Sequence, residues 1–218
     1  MTFEQYFQER TKYILDTIVN SLSENTFRKF VWAETSYLSL WWAQATDDMK
    51  NKMKRLILET KQLEIVTGGW VMTDEANSNY YAMIEQMIEG HEWLRANIDK
   101  SIQPVNGWSI DPFGYTPTMA YLLKQMGFQH MTIQRVHYHV KKYLAQSLRF
   151  EFKWTQSWAT KNSKDTSIFC HVMPFYSYDV SLFYFIDFYL MFYIKNLKRF
   201  HTHVVQIQKY AVNLILNV

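Results

Sequence analysis

Between residues 30 and 145 the hydrophobic pattern switches repeatedly from short apolar runs to helical spacing and back, and this leaves few folds open. The runs are Phe30, Val31 and Trp32, ending in Glu34, then Leu63, Ile65 and Val66, closed by Gly68 and Gly69. Val105, Trp108 and Ile110 follow, stopped by Asp111, Pro112 and Gly114, and then Met131, Thr132 and Ile133, ending at Arg135. Between them lie helical stretches: residues 36–45, a helix capped by Asp47 through Met49, Met53, Leu56 and Ile57, and a long helix over 78–97. The long helix carries Tyr81, Ile84, Met87, Ile88 and Trp93 on its apolar side, and a further helix runs through Met119, Tyr121, Leu122 and Leu123 to a Gly127 cap. An amphipathic helix over 3–22 comes first, and a helix at 138–145 and strands at 150–154 and 168–172 come last. Strand and helix in turn predict an α/β fold with a parallel sheet and crossover helices.

In such a sheet the C-terminal strand ends gather on one rim, where α/β enzymes place their reacting groups. Acids stand at these ends: Glu34, Asp111 and, after the Gly-Gly turn, Asp74 with Glu75. Two carboxylates in one cleft are the minimal equipment for glycoside hydrolysis. Trp32, Trp70, Trp108 and Phe113 beside them suit stacking on sugar rings, although Trp32 and Trp70 read equally as core. Local sequence leaves Asp111 two roles, a catalytic carboxylate or the cap of a helix starting at residues 116–118. Asp74 reads as a helix cap.

The histidines carry less. His137 and His139 would share a strand face as a metal pair, but the segment runs into a helix expected to separate the rings. His201 and His203 have metal-like spacing without further ligands nearby. Cys170 and His171 are adjacent on a strand, so their side chains point to opposite faces and cannot form a nucleophile pair.

Charge excludes one class of partner. The formal net charge of +3 belongs to residues 180–218, where Lys195, Lys198, Arg199 and Lys209 face Asp187 alone, leaving the body neutral. No nucleic-acid footprint is present. The same 39 residues hold nine aromatics and no glycine or proline, so residue 180 marks a break in composition. Their apolar run, residues 182–194, is shorter than the ~20 residues of a spanning helix, and with the basic residues after it offers a membrane-surface contact as an alternative reading. Cys170 is the only cysteine, so no intrachain disulfide forms. The start at Met1 shows no signal peptide or apolar anchor.

Several stretches carry a resemblance: residues 30–37 (FVWAETSY), 62–72 (QLEIVTGGWVM), 74–76 (DEA), 107–114 (GWSIDPFG), 133–138 (IQRVHY) and 173–179 (MPFYSYD). In this order the chain resembles the N-terminal catalytic domain of glycoside hydrolase family 38, over residues 1–179. The resemblance implies part of a parallel β/α barrel-like domain, followed by an unrelated aromatic-rich tail over residues 180–218. It implies a retaining, zinc-dependent α-mannosidase trimming mannose from N-glycans in the Golgi. Asp111 would then be both nucleophile and zinc ligand, and Phe113, Arg135, Tyr178 and Asp179 would line the mannose pocket. Tyr115 stands where relatives often carry His.

Two departures shape what is expected of this chain. The family's His-x-Asp zinc motif precedes the segment matched by Thr2, Phe3 and Glu4, and its acid/base aspartate and last zinc histidine follow the one matched by Asp179. Of the four zinc ligands Asp111 alone remains, so no stoichiometric zinc and no turnover are expected from the isolated chain. It reads as a mannosidase fragment; the alternative is a non-catalytic carbohydrate-binding or membrane-associated protein derived from that domain.

Overall fold

The computed structural model describes residues 1–77, 79–156, 158 and 166–174. They belong to two compact units, one over Met1–Ile65 and one within Val66–Tyr178. The aromatic tail, His201 and His203 lie outside the described residues.

The first unit opens with helix α1 (Phe3–Tyr6), a π-helical turn (Phe7–Thr11) and helix α2 (Lys12–Glu24). Thr2 starts this run with a capping box: its hydroxyl accepts from Gln5 N, and the Gln5 side chain accepts from Thr2 N. Strands β1 (Phe30–Trp32) and β2 (Leu63–Ile65) pair in parallel, Phe30 against Leu63 and Trp32 against Ile65. Helices α3 (Thr35–Gln44) and α4 (Asp47–Leu58) lie between them in sequence. Thr46, and not Asp47, caps α4, because a threonine hydroxyl at the extended residue can turn to the Met49 amide. Phe7, Leu15, Leu22, Leu38, Trp41 and Met53 form the fully buried heart. Gln62 Nε2 points at the carbonyls of Leu22, Asn25 and Arg28 at 2.8, 2.9 and 3.1 Å, satisfying the chain that leaves α2.

In the second unit β3 (Asn106–Ser109), β4 (His130–Ile133) and β6 (Ile168–Val172) run parallel, and β5 (Glu151–Trp154) is added antiparallel at the edge beside β6. The antiparallel edge lies beyond residues 30–145, the stretch for which alternation predicts a parallel sheet. No helix among the described residues separates β5 from β6, and an antiparallel pair needs no helical crossover. Helices α5 (Tyr80–Asn97), α6 (Pro117–Gln125) and α7 (Tyr138–Ser147) complete the unit. Met83, Met87, Met119, Leu123, Phe128, Met131, Ile133, Ile168 and Cys170 form one buried cluster. Among the described residues the strands make sheets of two and four.

Two buried faces differ from the periodic reading, and glycine is the reason for both. Helix α5 buries Met83, Met87, Gly90 and Leu94, whereas Tyr81 and Ile88 are exposed. A Cβ at Gly90 would lie 2.7 Å from Trp70 N and closer still to the backbone of Gly68 and Gly69. The helix therefore turns its smallest residue onto the loop after β2, and the larger apolar side chains rotate outward. In β3 the buried residues are Gly107 and Ser109, while Trp108 and Ile110 are half-buried. A Cβ at Gly107 would meet Leu123 Cδ1 at 3.2 Å, so helix α6 fills the space that a β3 side chain would have taken.

Candidate active site

Strand register brings the two charged candidates together. Ser109 of β3 pairs with Ile133 of β4, and Asp111 and Arg135 each stand two residues further on. Two steps along a strand return a side chain to the same face. Arg135 Nη2 donates to Asp111 Oδ1 at 2.7 Å, and both side chains keep roughly half their surface in solvent. The Phe113 ring stands out from the next turn with its guanidinium neighbour 5.9 Å from the centroid, a cation–π distance. Asp111 caps no helix: Thr116 caps α6, its hydroxyl accepting from Thr118 N at 3.2 Å.

The turn that carries Asp111 and Phe113 is held by Tyr115. Its hydroxyl donates to Ser109 O at 2.9 Å and accepts from the amides of Gln134 and Arg135, both at 3.1 Å. A phenol has one proton and two lone pairs, so all its capacity is spent on main chain. Burial raises this hydroxyl above the ordinary tyrosine value, which keeps the donating proton in place.

Opposite lies the loop before α5. Asp74, Glu75, Ala76, Phe113, Gly114, Tyr115 and Thr116 line an open cleft of about 260 Å³. Glu75 Oε2 accepts from Thr116 N, while Oε1 is buried with no hydrogen-bond partner among the described residues. Burial lifts the Glu75 carboxyl from 4.5 to about 7, against the opposing effect of the Thr116 amide. Asp74 is not the cap of α5: it forms a local turn by accepting from Ala76 N at 3.0 Å, and Asn79 takes the cap. A residue nearer the helix start is the one whose side chain can reach the Ala82 amide.

A rigid base supports that loop. Thr67 has φ +54°, unusual for a β-branched residue. It is held there by its amide on Asn106 O at 2.8 Å and by its hydroxyl, which accepts from Trp108 N at 2.7 Å. Burial lowers His91, so its ring is neutral near pH 7 and donates through Nε2–H to Thr67 O at 2.8 Å. Gln86 follows the next turn: its carbonyl accepts from Trp70 N at 2.9 Å and its side-chain oxygen from Val71 N at 3.2 Å. Below β4, Lys141 donates to the fully buried Gln134 Oε1 at 2.8 Å, and burial brings the ammonium down to about 8.

Of the residues singled out from sequence, Asp111, Phe113 and Arg135 are brought together, and Glu75 lines the neighbouring cleft with Phe113. Tyr178 and Asp179 lie outside the described residues. Glu34 belongs to the first unit, where its carbonyl accepts from Trp32 Nε1 at 2.7 Å. Trp32, Trp70 and Trp108 are half-buried. His137 and His139 are not separated by their helix: His137 takes the α7 cap, and the rings stack at 5.3 Å. Cys170 lies in the core with its thiol pushed up to about 12, and His171 turns to Glu151 Oε1 at 3.1 Å. The supporting roles of Tyr115, Gln86, His91 and Lys141 are not legible in the sequence; they bind mainly carbonyls and amides, which leave no sequence signal.

The family model described as the glycosyl hydrolases family 38 N-terminal domain matches residues 1–214. The chain is 54% identical over 179 residues to "Alpha-mannosidase 2" of Homo sapiens, covering 82% of this chain and 15% of that protein. It is 52% identical over 180 residues to "Alpha-mannosidase 2" of Arabidopsis thaliana, covering 83% and 15%. The chain thus spans about 15% of the length of these curated relatives. Among solved structures, the 4-alpha-glucanotransferase of Thermococcus litoralis shares the fold with a TM-score of 0.61 at 18% identity, over 86% of this chain and 27% of that one.

Proposed function

The chain belongs to glycosyl hydrolase family 38, and from that membership we propose that it is part of the catalytic domain of a retaining α-mannosidase acting on mannose-containing N-glycans. The observation that carries this reading is the Asp111–Arg135 pair beside the exposed Phe113 ring, at the C-terminal ends of two parallel strands. Asp111 is the nucleophile. A carboxylate oxygen attacks the anomeric carbon as the bond to the leaving oxygen breaks, and water later opens the glycosyl-enzyme with retention. Arg135 holds that carboxylate in place and offers N–H donors to sugar hydroxyls, and Phe113 faces the apolar side of the ring. The same reading assigns Tyr178 and Asp179, which lie outside the described residues, to mannose binding.

Zinc, with Asp111 among its ligands, belongs to the same reading, but the described residues do not make its site. A zinc site takes three or four protein donors. Among the described residues no three His, Cys, Asp or Glu are grouped to hold a metal ion. A zinc ion bound at Asp111 therefore draws its other donors from outside the described residues. The leaving oxygen also needs a proton donor.

On this reading the isolated chain is expected to bind mannosides weakly and not to turn them over. The intact enzyme works in the Golgi lumen. Residues 1–179 form the family-like part, close to the 179–180 residues over which the curated relatives align, although the family model runs on to 214. Residues 180–218 form a tail of different composition. Among the described residues no helix is long and apolar enough to cross a membrane.

The test is turnover of an aryl α-mannoside together with calorimetry against a methyl α-mannoside at millimolar concentration. Weak heat that disappears in Asp111→Asn, without turnover, supports the reading. Absence of heat from the folded chain overturns it. Turnover that Asp111→Asn abolishes would keep Asp111 as nucleophile and overturn the inactivity. The Phe113 ring, 74% exposed, favours a second reading as a glycan-binding module, which calorimetric binding with no turnover in the whole protein would support.

A further inference from the structure

We propose that Tyr115 is a positioning residue for the Asp111–Arg135 pair, its hydroxyl registering the two strand-end segments so that the guanidinium reaches the carboxylate. The inference rests on the proposed role of Asp111, since an idle ion pair would need no such registration.

The paired register of β3 and β4 ends at Ser109 and Ile133. Beyond it Asp111 and Arg135 stand on segments that leave the sheet for α6 and α7. The Tyr115 hydroxyl lies where the paired register stops. It donates to the last carbonyl of β3, Ser109 O, at 2.9 Å, and accepts from the first two amides after β4, Gln134 and Arg135, at 3.1 Å each. One oxygen thus joins both strand ends and closes the turn 109–115, which carries Asp111 and Phe113.

The ion pair alone could not do this. Its side chains are 43% and 57% exposed, and a solvated pair holds long side chains loosely. Tyr115 is half-buried, and its three partners are main-chain groups that define where the Arg135 and Asp111 Cα atoms stand. A second bond steadies the same turn from the far side, Glu75 Oε2 accepting from Thr116 N. Phenylalanine at residue 115 would fill the same space and lose only the joining oxygen. The substitution therefore separates positioning from packing.

The test uses amide hydrogen exchange and nitrogen-15 NMR on the full chain and on Tyr115→Phe. In the unaltered chain the Gln134 and Arg135 amides are expected to be protected; exchange as fast as in an open chain overturns the proposal. This measurement also decides the case in which Tyr115→Phe does not fold. In Tyr115→Phe the two amides are expected to exchange about tenfold faster relative to Thr132 inside β4. The Arg135 guanidinium signal, which Asp111→Asn shifts in the unaltered chain, is expected to stop responding to Asp111→Asn once Tyr115→Phe is present. A general loss of stability would speed Thr132 exchange equally and leave that response intact. Amide exchange within twofold of the unaltered chain, or an unchanged response to Asp111→Asn, overturns the proposal. None of these readouts uses a sugar. Failure of the glycosidase reading shows instead as absent mannoside binding with the Tyr115 bonds intact, and the functional meaning of the positioning then falls with it.

Discussion

Asp111 and Arg135 are two steps past the ends of neighbouring parallel strands, and their carboxylate and guanidinium meet at 2.7 Å. The backbone that places the two residues and the attraction between their side chains are separate contributions and can be measured apart.

Arg135→Ala is expected to lower folding stability by less than about 1 kcal/mol, since both side chains are substantially solvated. The same substitution is expected to abolish mannoside binding. Urea denaturation and calorimetry on one preparation check both halves. A stability loss of several kcal/mol would show that the pair supports the fold instead.

Gly90→Ala tests the contact between α5 and the loop after β2. The added methyl would overlap the backbone of Gly68, Gly69 and Trp70, which no rotamer change can relieve. A destabilisation above about 2 kcal/mol is expected by denaturant unfolding. A neutral result would mean that the helix can slide away from the loop.

Glu75 makes stability depend on pH. Its folded carboxyl titrates near 7, above its ordinary 4.5, so the folded state holds the proton more tightly than the unfolded chain. The unfavourable contribution is therefore absent below pH 4.5, grows between 4.5 and about 7, and is complete above. Glu75→Gln is expected to be more favourable at pH 8 than at pH 5 by about 1–2 kcal/mol, less than full linkage because the carboxyl keeps some solvent contact. Unfolding curves at the two pH values check this, and a difference of the opposite sign would refute it.

Cys170 is buried in the core with its thiol at about 12. Its alkylation in native chain at pH 8 is expected to be at least ~100-fold slower than in urea, where the thiol is free to ionise. Timed mass spectrometry of iodoacetamide adducts measures the ratio. Similar rates in the two conditions would show that β6 opens readily.

Strand and helix order was readable because period two and period 3.6 differ over short windows, and β1 to β4 fall where the apolar runs stand. Asp111 and Arg135 were readable as strand-end residues for the same reason. Strand direction is absent from periodicity, so the antiparallel course of β5 was not. The buried face of α5 is not legible from periodicity, because Tyr81 and Ile88 outweigh Gly90 on any hydrophobic scale, yet the glycine decides where the helix touches. Sequence marks Tyr115 only as a departure from relatives; its joining role is not legible, since its partners are an amide pair and a carbonyl, groups that every residue possesses.

The Tyr115 oxygen has a consequence for proton traffic. Its single hydrogen is committed to Ser109 and both its lone pairs to Gln134 and Arg135. The phenol therefore sits a turn away from the Asp111 carboxylate as a spectator in acid–base terms, and releasing its proton would mean unfastening both strand ends. Whatever protonates a departing sugar oxygen must be a group that still has a proton to give.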